Sequence, residues 1–435
     1  MSLELLHRMN SAACACGKAH VFDTKIVSGK GVIVQVPSLV TDLGKKAFIL
    51  ADQNTWKAAG EQLCDLLRQE DTSHTSYIFP FGPEPDEKAV GSAVMHFDRT
   101  CDVIVAVGSG VINDIGKILS NLTGLPYIIV ATAPSMDGYA SATSSMTRDG
   151  LKISLPSRGA DVIVGDTEIL KNAPMHMMKS GLGDMLAKYV SICEWRIASL
   201  VTGEYYCEEV ARLIRRAVKK CVDQAGGLLR REEAAVEAVF EGLVLGGVAM
   251  NYAGVSRPAS GVEHYISHVL DMRAVAFGTP MELHGIQCAV GTLIAIKLYE
   301  KLKTMEPNRE TALAQTDAFD YAAWSGTLRK FLGKGAESMI ALEQREGKYD
   351  KEKHAARLEI ILEHWDQIVQ IVSEELPTAK EIENLLDSIN APKSLKDIGI
   401  DEELLPTIFC CTRDIRDKYV LSRLAWDLGI TETLV

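Results

Sequence analysis

The feature that most narrows the possible fold is the apolar run from Asp102 to Val107, which ends in Gly108-Ser109-Gly110 and opens at once into an amphipathic stretch, Val111 to Asn121. An unbroken β-branched run is a strand buried on both faces, as in a parallel sheet covered by helices. The helical stretch breaks at Gly124-Leu125-Pro126, and a second strand-like run follows from Tyr127 to Ala131. Together these make a βαβ unit of about thirty residues. Lys46 to Ala51 reads as a further strand and Thr55 to Arg68 as a helix, so the region from Gly44 to Ala131 is α/β.

Glycines at a strand-to-helix turn let the main chain approach a phosphate closely, and the N–H groups that open the helix attract a pyrophosphate. Here Asn113 stands where the G-x-G-x-x-G pattern has its third glycine. The acid expected about twenty residues further on is missing, and Asp52, closing the earlier strand, is the candidate to hold the adenosine ribose. A carboxylate there would favour NADH by repelling a 2′-phosphate. No Lys-Ser or Lys-Thr follows the turn, which excludes a Walker-type loop. On the turn alone, a cofactor cradle and a plain structural turn both stay open.

Beyond roughly Asp166 strands fade, and helices are expected over Leu182–Ser199, Tyr205–Asp223, Glu232–Tyr252, Val290–Lys303 and Lys351–Ser373. Pro377 ends one helix, and Thr378 with Glu381 forms a capping box that opens the next. Glu343 to Lys353 is charged enough to read as an exposed loop, and the chain beyond about residue 300 as a helical tail. At 435 residues the chain exceeds the ~250–300 at which single cores stop growing. We therefore expect an α/β dinucleotide-binding domain over 1–175 and a helical metal- and substrate-binding domain over 176–435.

The net charge of −12 argues against nucleic acid or an anionic membrane as partner. Met1 to Asn10 carries Glu4, His7 and Arg8 and so lacks the apolar core of a secretory signal. The most apolar stretch, Gly242 to Val255, is interrupted by Asn251 and is shorter than the ~20 residues that span a bilayer. Ten cysteines without a regular framework suggest reduced thiols in a cytoplasm. Cys14-x-Cys16 with His20 could be a metal site, but ordinary thiols are the preferred reading.

Three of the ten histidines, His264, His268 and His284, fall close together. His264 and His268 share a helical face, His284 is expected to open the next helix, and Asp184 to start a helix that carries Lys188 one turn later. Two imidazoles and a carboxylate suit Zn²⁺, Fe²⁺ or Ni²⁺ acting as a Lewis acid. Hydrogen-bonded interior histidines with Asp184 as a helix cap remain the alternative.

Taken as a set, several stretches resemble the sn-glycerol-1-phosphate dehydrogenases of the iron-containing alcohol dehydrogenase and dehydroquinate synthase superfamily. They are Val107 to Asp114, Thr132 to Ser141, Gly181-Leu182-Gly183-Asp184 with Lys188, Ser256 to His264, and His284-Gly285. The resemblance implies a two-domain fold, a dinucleotide-binding α/β domain followed by a helical one. Gly110, Val111, Ile112, Asn113 and Asp114 would contact NAD(H) or NADP(H), as would Thr132, Ser135 and Ser141. Asp184, His264 and His284 would hold one divalent metal, while Asp137, Asp184 and His268 would face the substrate. The implied reaction is reversible reduction of dihydroxyacetone phosphate to sn-glycerol 1-phosphate in a homodimer, with Asp137 and His268 as catalytic candidates. Ser109 departs from the family's three successive glycines, and Arg257 and Lys152 are the first cations to examine for the substrate phosphate. The alternatives are a polyol dehydrogenase acting on an unphosphorylated substrate and a dehydroquinate-synthase-like lyase, a group with Glu where this chain has Asp184.

Overall fold

The computed structural model describes residues 14–80, 82–148 and 151–435. Among these the chain forms two compact units, one built from residues up to Met185 together with Arg212–Val255, the other from Leu186–Ala211 and Ser256–Val435.

The first unit is organised by a six-stranded parallel sheet. Its strands are β1 (Lys25–Gly29), β2 (Lys46–Asp52), β3 (Ser73–Phe79), β4 (Val103–Gly108), β5 (Tyr127–Ala131) and β8 (Val162–Asp166), in the order β1-β8-β5-β4-β2-β3. An antiparallel hairpin, β6 (Thr143–Arg148) with β7 (Leu151–Pro156), stands apart from it. Helices α1 (Val36–Leu43), α2 (Glu61–Gln69), α3 (Glu87–His96) and α4 (Gly110–Thr123) connect the strands. Every residue of β4, β5 and β8 is buried, which is what an unbroken β-branched run requires. Short β1 and the polar alternation of β3 hid both edge strands from the sequence reading.

Chain order reverses between β2 and β4. From β2 the chain moves outward to β3, and from β4 it moves the other way to β5, so a crevice opens at the carboxyl ends of β2 and β4. Leu50 pairs with Ala106, which sets Asp52 and Gly108 level on adjacent strands at that crevice.

The task of the missing third glycine falls to Gly116. A Cβ there would stand 2.7 Å from the Tyr127 hydroxyl and 3.0 Å from the Ala106 Cβ, so α4 lies close on β4 and β5. Asn113 is buried and accepts a hydrogen bond from that Tyr127 hydroxyl at 2.9 Å.

No strand follows Asp166 among the described residues, as expected, and the long helices are α5 (Met175–Thr202), α6 (Glu208–Gln224), α7 (Glu233–Ala253), α8 (Val262–Phe277) and α9 (His284–Leu302). Asp184 therefore sits inside α5 rather than at its start, which removes the helix-cap reading. The Lys351–Ser373 helix divides at His364 into Lys351–Glu363 and Trp365–Glu375.

Glu343 to Lys353 is not an exposed loop. Helix Ala336–Glu346 runs into it, and the buried Glu343 carboxylate accepts the N–H groups of Lys348 and Tyr349, folding the charged stretch inward. Nor is the chain after residue 300 a tail. Trp324, Phe331, Met339, Tyr349, Ile408 and Trp426 share one core with Ile266, Val269 and Leu270 of α8.

Gly116→Val should lower stability. Overpacking costs about 1–3 kcal/mol, more than a β-branched residue recovers over glycine in helix propensity. The urea midpoint should fall with the m-value unchanged; an unaltered midpoint would show that the α4–sheet contact is loose.

Candidate active site

In the first unit the site grows from the β4–α4 turn. Ser109 precedes the helix, and the N–H groups of Gly110, Val111 and Ile112 have no intrahelical partner in such a first turn. The Asn113 N–H is already bonded to Ser109 O at 2.9 Å, and its side-chain amide donates to Gly138 O at 3.1 Å. Asp114 forms a 2.8 Å ion pair with buried Lys117 and accepts Ser145 N at 3.2 Å. Burial holds its carboxyl above the ordinary value, the Lys117 ammonium opposing this. Of the five turn residues named from sequence, three thus present main-chain donors and two brace the turn.

The Thr132–Ser141 segment folds back over this turn. Thr132 N donates to Gly108 O at 3.1 Å, the Ser135 and Ser109 hydroxyls touch, and Tyr139 donates to Ala133 O at 2.6 Å. Ser141 instead accepts Thr143 N at the base of the hairpin. Two glycines let helices clasp the segment. A Cβ on Gly181 of α5 would lie 1.9 Å from Pro134 O, and one on Gly247 of α7 would lie 3.0 Å from Asp137 O. With Ser180 Oγ donating to Ser135 O at 2.9 Å, the segment is seated so that Asp137 N donates to Asp184 Oδ2 at 2.9 Å. Asp184 is wholly buried and Asp137 half-buried. Asp52 ends β2 as expected, and its Oδ1 accepts Asn54 N and Thr55 N as an N-cap.

In the second unit, His264 and His268 of α8 and His284, the first residue of α9, cluster with ring centroids 5.0–6.5 Å apart. Their protonation follows from their partners. His264 Nδ1 faces the Glu263 carboxylate at 2.8 Å, an acceptor, so Nδ1 carries the proton. Ser267 donates its only proton to Gln287 Oε1 at 2.6 Å, and so accepts from His284 Nδ1 at 2.9 Å. Gln287 is fixed in turn by donating to Asp271 at 3.1 Å. Both imidazoles therefore keep an unprotonated Nε2, the form a metal binds. His264, His284 and Cys288 offer ligand atoms within 4.8 Å of one another. Cys288 Sγ stands 3.6 Å from His284 Nε2.

Cys288, Ser267, Gln287 and Asp271 were not legible as site residues, although Ser267 lies one turn before Asp271 on the face behind the histidines. Arg257, named for the substrate phosphate, is buried and bound to the Glu204 carboxylate and to Tyr419 O, so it holds the fold together. Lys152 lies on the β6–β7 hairpin. A cation without any sequence signal, Lys418, donates to Ser260 O at 2.9 Å, and burial pushes its amine down to about 7.

The family model for iron-containing alcohol dehydrogenase matches residues 27–174. The chain is 28% identical over 432 residues to the glycerol-1-phosphate dehydrogenase [NAD(P)+] of Bacillus licheniformis, covering 97% of this chain and 94% of that one. To the enzyme of the same name from Methanothrix thermoacetophila it is 34% identical, over 63% and 77% of the two chains. Among solved structures, an iron-containing alcohol dehydrogenase from Thermococcus thioreducens superposes with a TM-score of 0.60 at 14% identity, over 95% of this chain and 98% of that one. The fold is thus that of the iron-containing alcohol dehydrogenases. Within that class, the chain belongs to the glycerol-1-phosphate dehydrogenase family.

Gly181→Ala places a methyl against a backbone carbonyl that cannot swing away, so it should displace the Thr132–Ser141 segment. Turnover is expected to fall at least tenfold, with a lower melting temperature; full activity would mean that the segment needs no such seat.

A second test concerns buried Glu194, which accepts Val262 N at 2.8 Å and Leu421 N at 2.7 Å. Burial, reinforced by the neighbouring Glu263, raises its carboxyl well above the usual range. The native state then keeps a proton that the unfolded chain releases, and stability drains away as pH rises from the carboxylate range through neutrality. Between about pH 5 and about pH 8 the urea midpoint of wild type should drop more steeply than that of Glu194→Gln, whose own loss is a pH-independent offset. Parallel profiles would refute the assignment.

Proposed function

We propose that this chain catalyses the reversible reduction of dihydroxyacetone phosphate to sn-glycerol 1-phosphate with NAD(P)H and a divalent metal ion. The observation that carries it is the tautomer of His264 and His284. In a chain whose relatives are named glycerol-1-phosphate dehydrogenases, both imidazoles have Nδ1–H engaged, which leaves Nε2 as the unprotonated nitrogen, the form a metal binds. Asp184, His264 and His284 are the proposed ligands, and the donor set of one carboxylate and two imidazoles suits Zn²⁺, Ni²⁺ or Fe²⁺. Bound there, the metal supplies Lewis-acid polarisation of the substrate ketone oxygen.

The chain's own residues do the rest. The N–H groups of Gly110, Val111 and Ile112 take the pyrophosphate, and Asn113 and Asp114 complete the stretch that contacts the dinucleotide while bracing the turn. Thr132, Ser135 and Ser141 line the cofactor, and Asp52 stands at the β2–β4 crevice, where the adenosine ribose would lie. Asp137 and His268 face the substrate, His268 positioning a hydroxyl or relaying its proton. Asp184 is oriented for its part by the Asp137 N–H. The same reading makes the enzyme a cytoplasmic homodimer. Among the described residues, no helix is long and apolar enough to cross a membrane.

The test is NADH oxidation with dihydroxyacetone phosphate, with and without added Zn²⁺, Ni²⁺ or Fe²⁺. Equal or better turnover of glycerol and dihydroxyacetone would favour a polyol dehydrogenase, and absence of net NADH consumption a lyase. His264→Ala should lose both bound metal and activity, falling by about 10–100-fold or more in metal affinity. Retention of both would rule out the ligand assignment.

A further inference from the structure

A second gathering of soft ligands lies in the first unit and includes none of the candidate active-site residues. The Sγ atoms of Cys14 and Cys16 and a ring nitrogen of His20 lie within 4.8 Å of one another. The backbone is shaped to bring them together. Gly17 N donates to Cys14 O at 3.0 Å, closing a tight turn, and Gly17 adopts φ 80°, the left-handed region that favours glycine. Cys14 and Cys16 are half-buried and in no disulfide, while His20 is only 2% exposed.

The orientation of His20 is that of a metal ligand. Its Nδ1 lies 3.3 Å from Tyr252 O, which can only accept, so Nδ1 carries the proton and Nε2 the lone pair. That Nε2 stands 3.5 Å from Cys16 Sγ. Tetrahedral zinc, with bonds of about 2.3 Å to sulfur and about 2.0–2.1 Å to nitrogen, sets those atoms about 3.5 Å apart. A lone thiol-to-imidazole hydrogen bond would account for that distance, but not for a second sulfur close to both atoms.

We propose that Cys14, Cys16 and His20 bind a structural Zn²⁺. The two thiols lose their protons to solvent as the metal binds, and no redox step is involved. A fourth ligand completes the tetrahedron. The role is mechanical. His20 and Lys18, whose ammonium donates to Ala253 O at 3.0 Å, attach this segment to the C-terminal end of α7, and the metal holds the turn in the shape that makes both contacts. The segment leads directly into β1, the edge of the parallel sheet. The proposal stands independently of the catalytic metal.

The experiment uses full-length protein purified without chelator, with zinc counted per chain by elemental analysis. Wild type should carry one more equivalent than Cys14→Ser/Cys16→Ser. Loaded with Co²⁺, wild type should show near-ultraviolet thiolate-to-metal charge transfer that the double variant lacks, while NADH oxidation with dihydroxyacetone phosphate persists in both. His20→Cys, which replaces one soft ligand with another, should keep the equivalent and intensify the band. Equal zinc content in wild type and double variant overturns the proposal. Should the double variant fail to fold, a cobalt band unchanged between wild type and His20→Cys overturns it equally.

Discussion

The close approach of α5 to the main chain at Pro134 is the contact on which the rest of the first unit's site depends. Gly181 leaves no side chain between helix and loop, so the Thr132–Ser141 segment can lie against the glycine turn on one side and reach Asp184 on the other. A parallel sheet brings strand ends and helix starts to one edge, and Asp52 at the end of β2 is the carboxylate it supplies beside the glycine turn. The clasped segment adds Asp137, and it couples the glycine turn to α5 through three bonds at its main chain, at Thr132, Ser135 and Asp137.

The second unit solves a different problem, the burial of polar groups. His264, Glu194, Ser267, Gln287 and Asp271 are all removed from solvent, and each must find partners or pay the full cost of desolvation. They do so in directed chains. Asp271 fixes Gln287, Gln287 fixes the Ser267 hydroxyl, and Ser267 fixes the tautomer of His284. Glu194 ties α5 to the start of α8 and to the chain before the C-terminal helices by accepting two main-chain N–H groups and the Tyr299 hydroxyl. The region after residue 300, silent in motifs, builds the wall behind α8 around the stacked rings of Phe319 and Tyr349.

Much of this was legible because it is local. The strand at Val103, its glycine turn and helix, the capping box at Thr378 and the helix opened by His284 follow from periodicity and turn chemistry within a few residues. Elsewhere, the partner that each charged side chain meets decided its role. Glu343 looked solvated until its carboxylate was seen to cap the N–H groups of Lys348 and Tyr349 inside an aromatic core. Arg257 looked available to a phosphate, but Glu204 and Tyr419 had claimed it.

The sequence by itself determined the α/β-then-helical order, the glycine turn and the residue types of the candidate metal site, since each is written in short-range pattern and side-chain chemistry. Only the tertiary structure decided which of those residues present a usable atom. Asn113 braces the turn because Ser109, Tyr127 and Gly138 take its bonding groups. Gly116 took over the packing task of the absent third glycine because Tyr127 and Ala106 approach it from strands across the sheet. His264 and His284 acquired their ligand tautomers from acceptors that lie beside them, one adjacent in the chain and one seventeen residues away on another helix. Directional hydrogen bonds carry that information, and hydrophobic periodicity does not encode which partner each group meets.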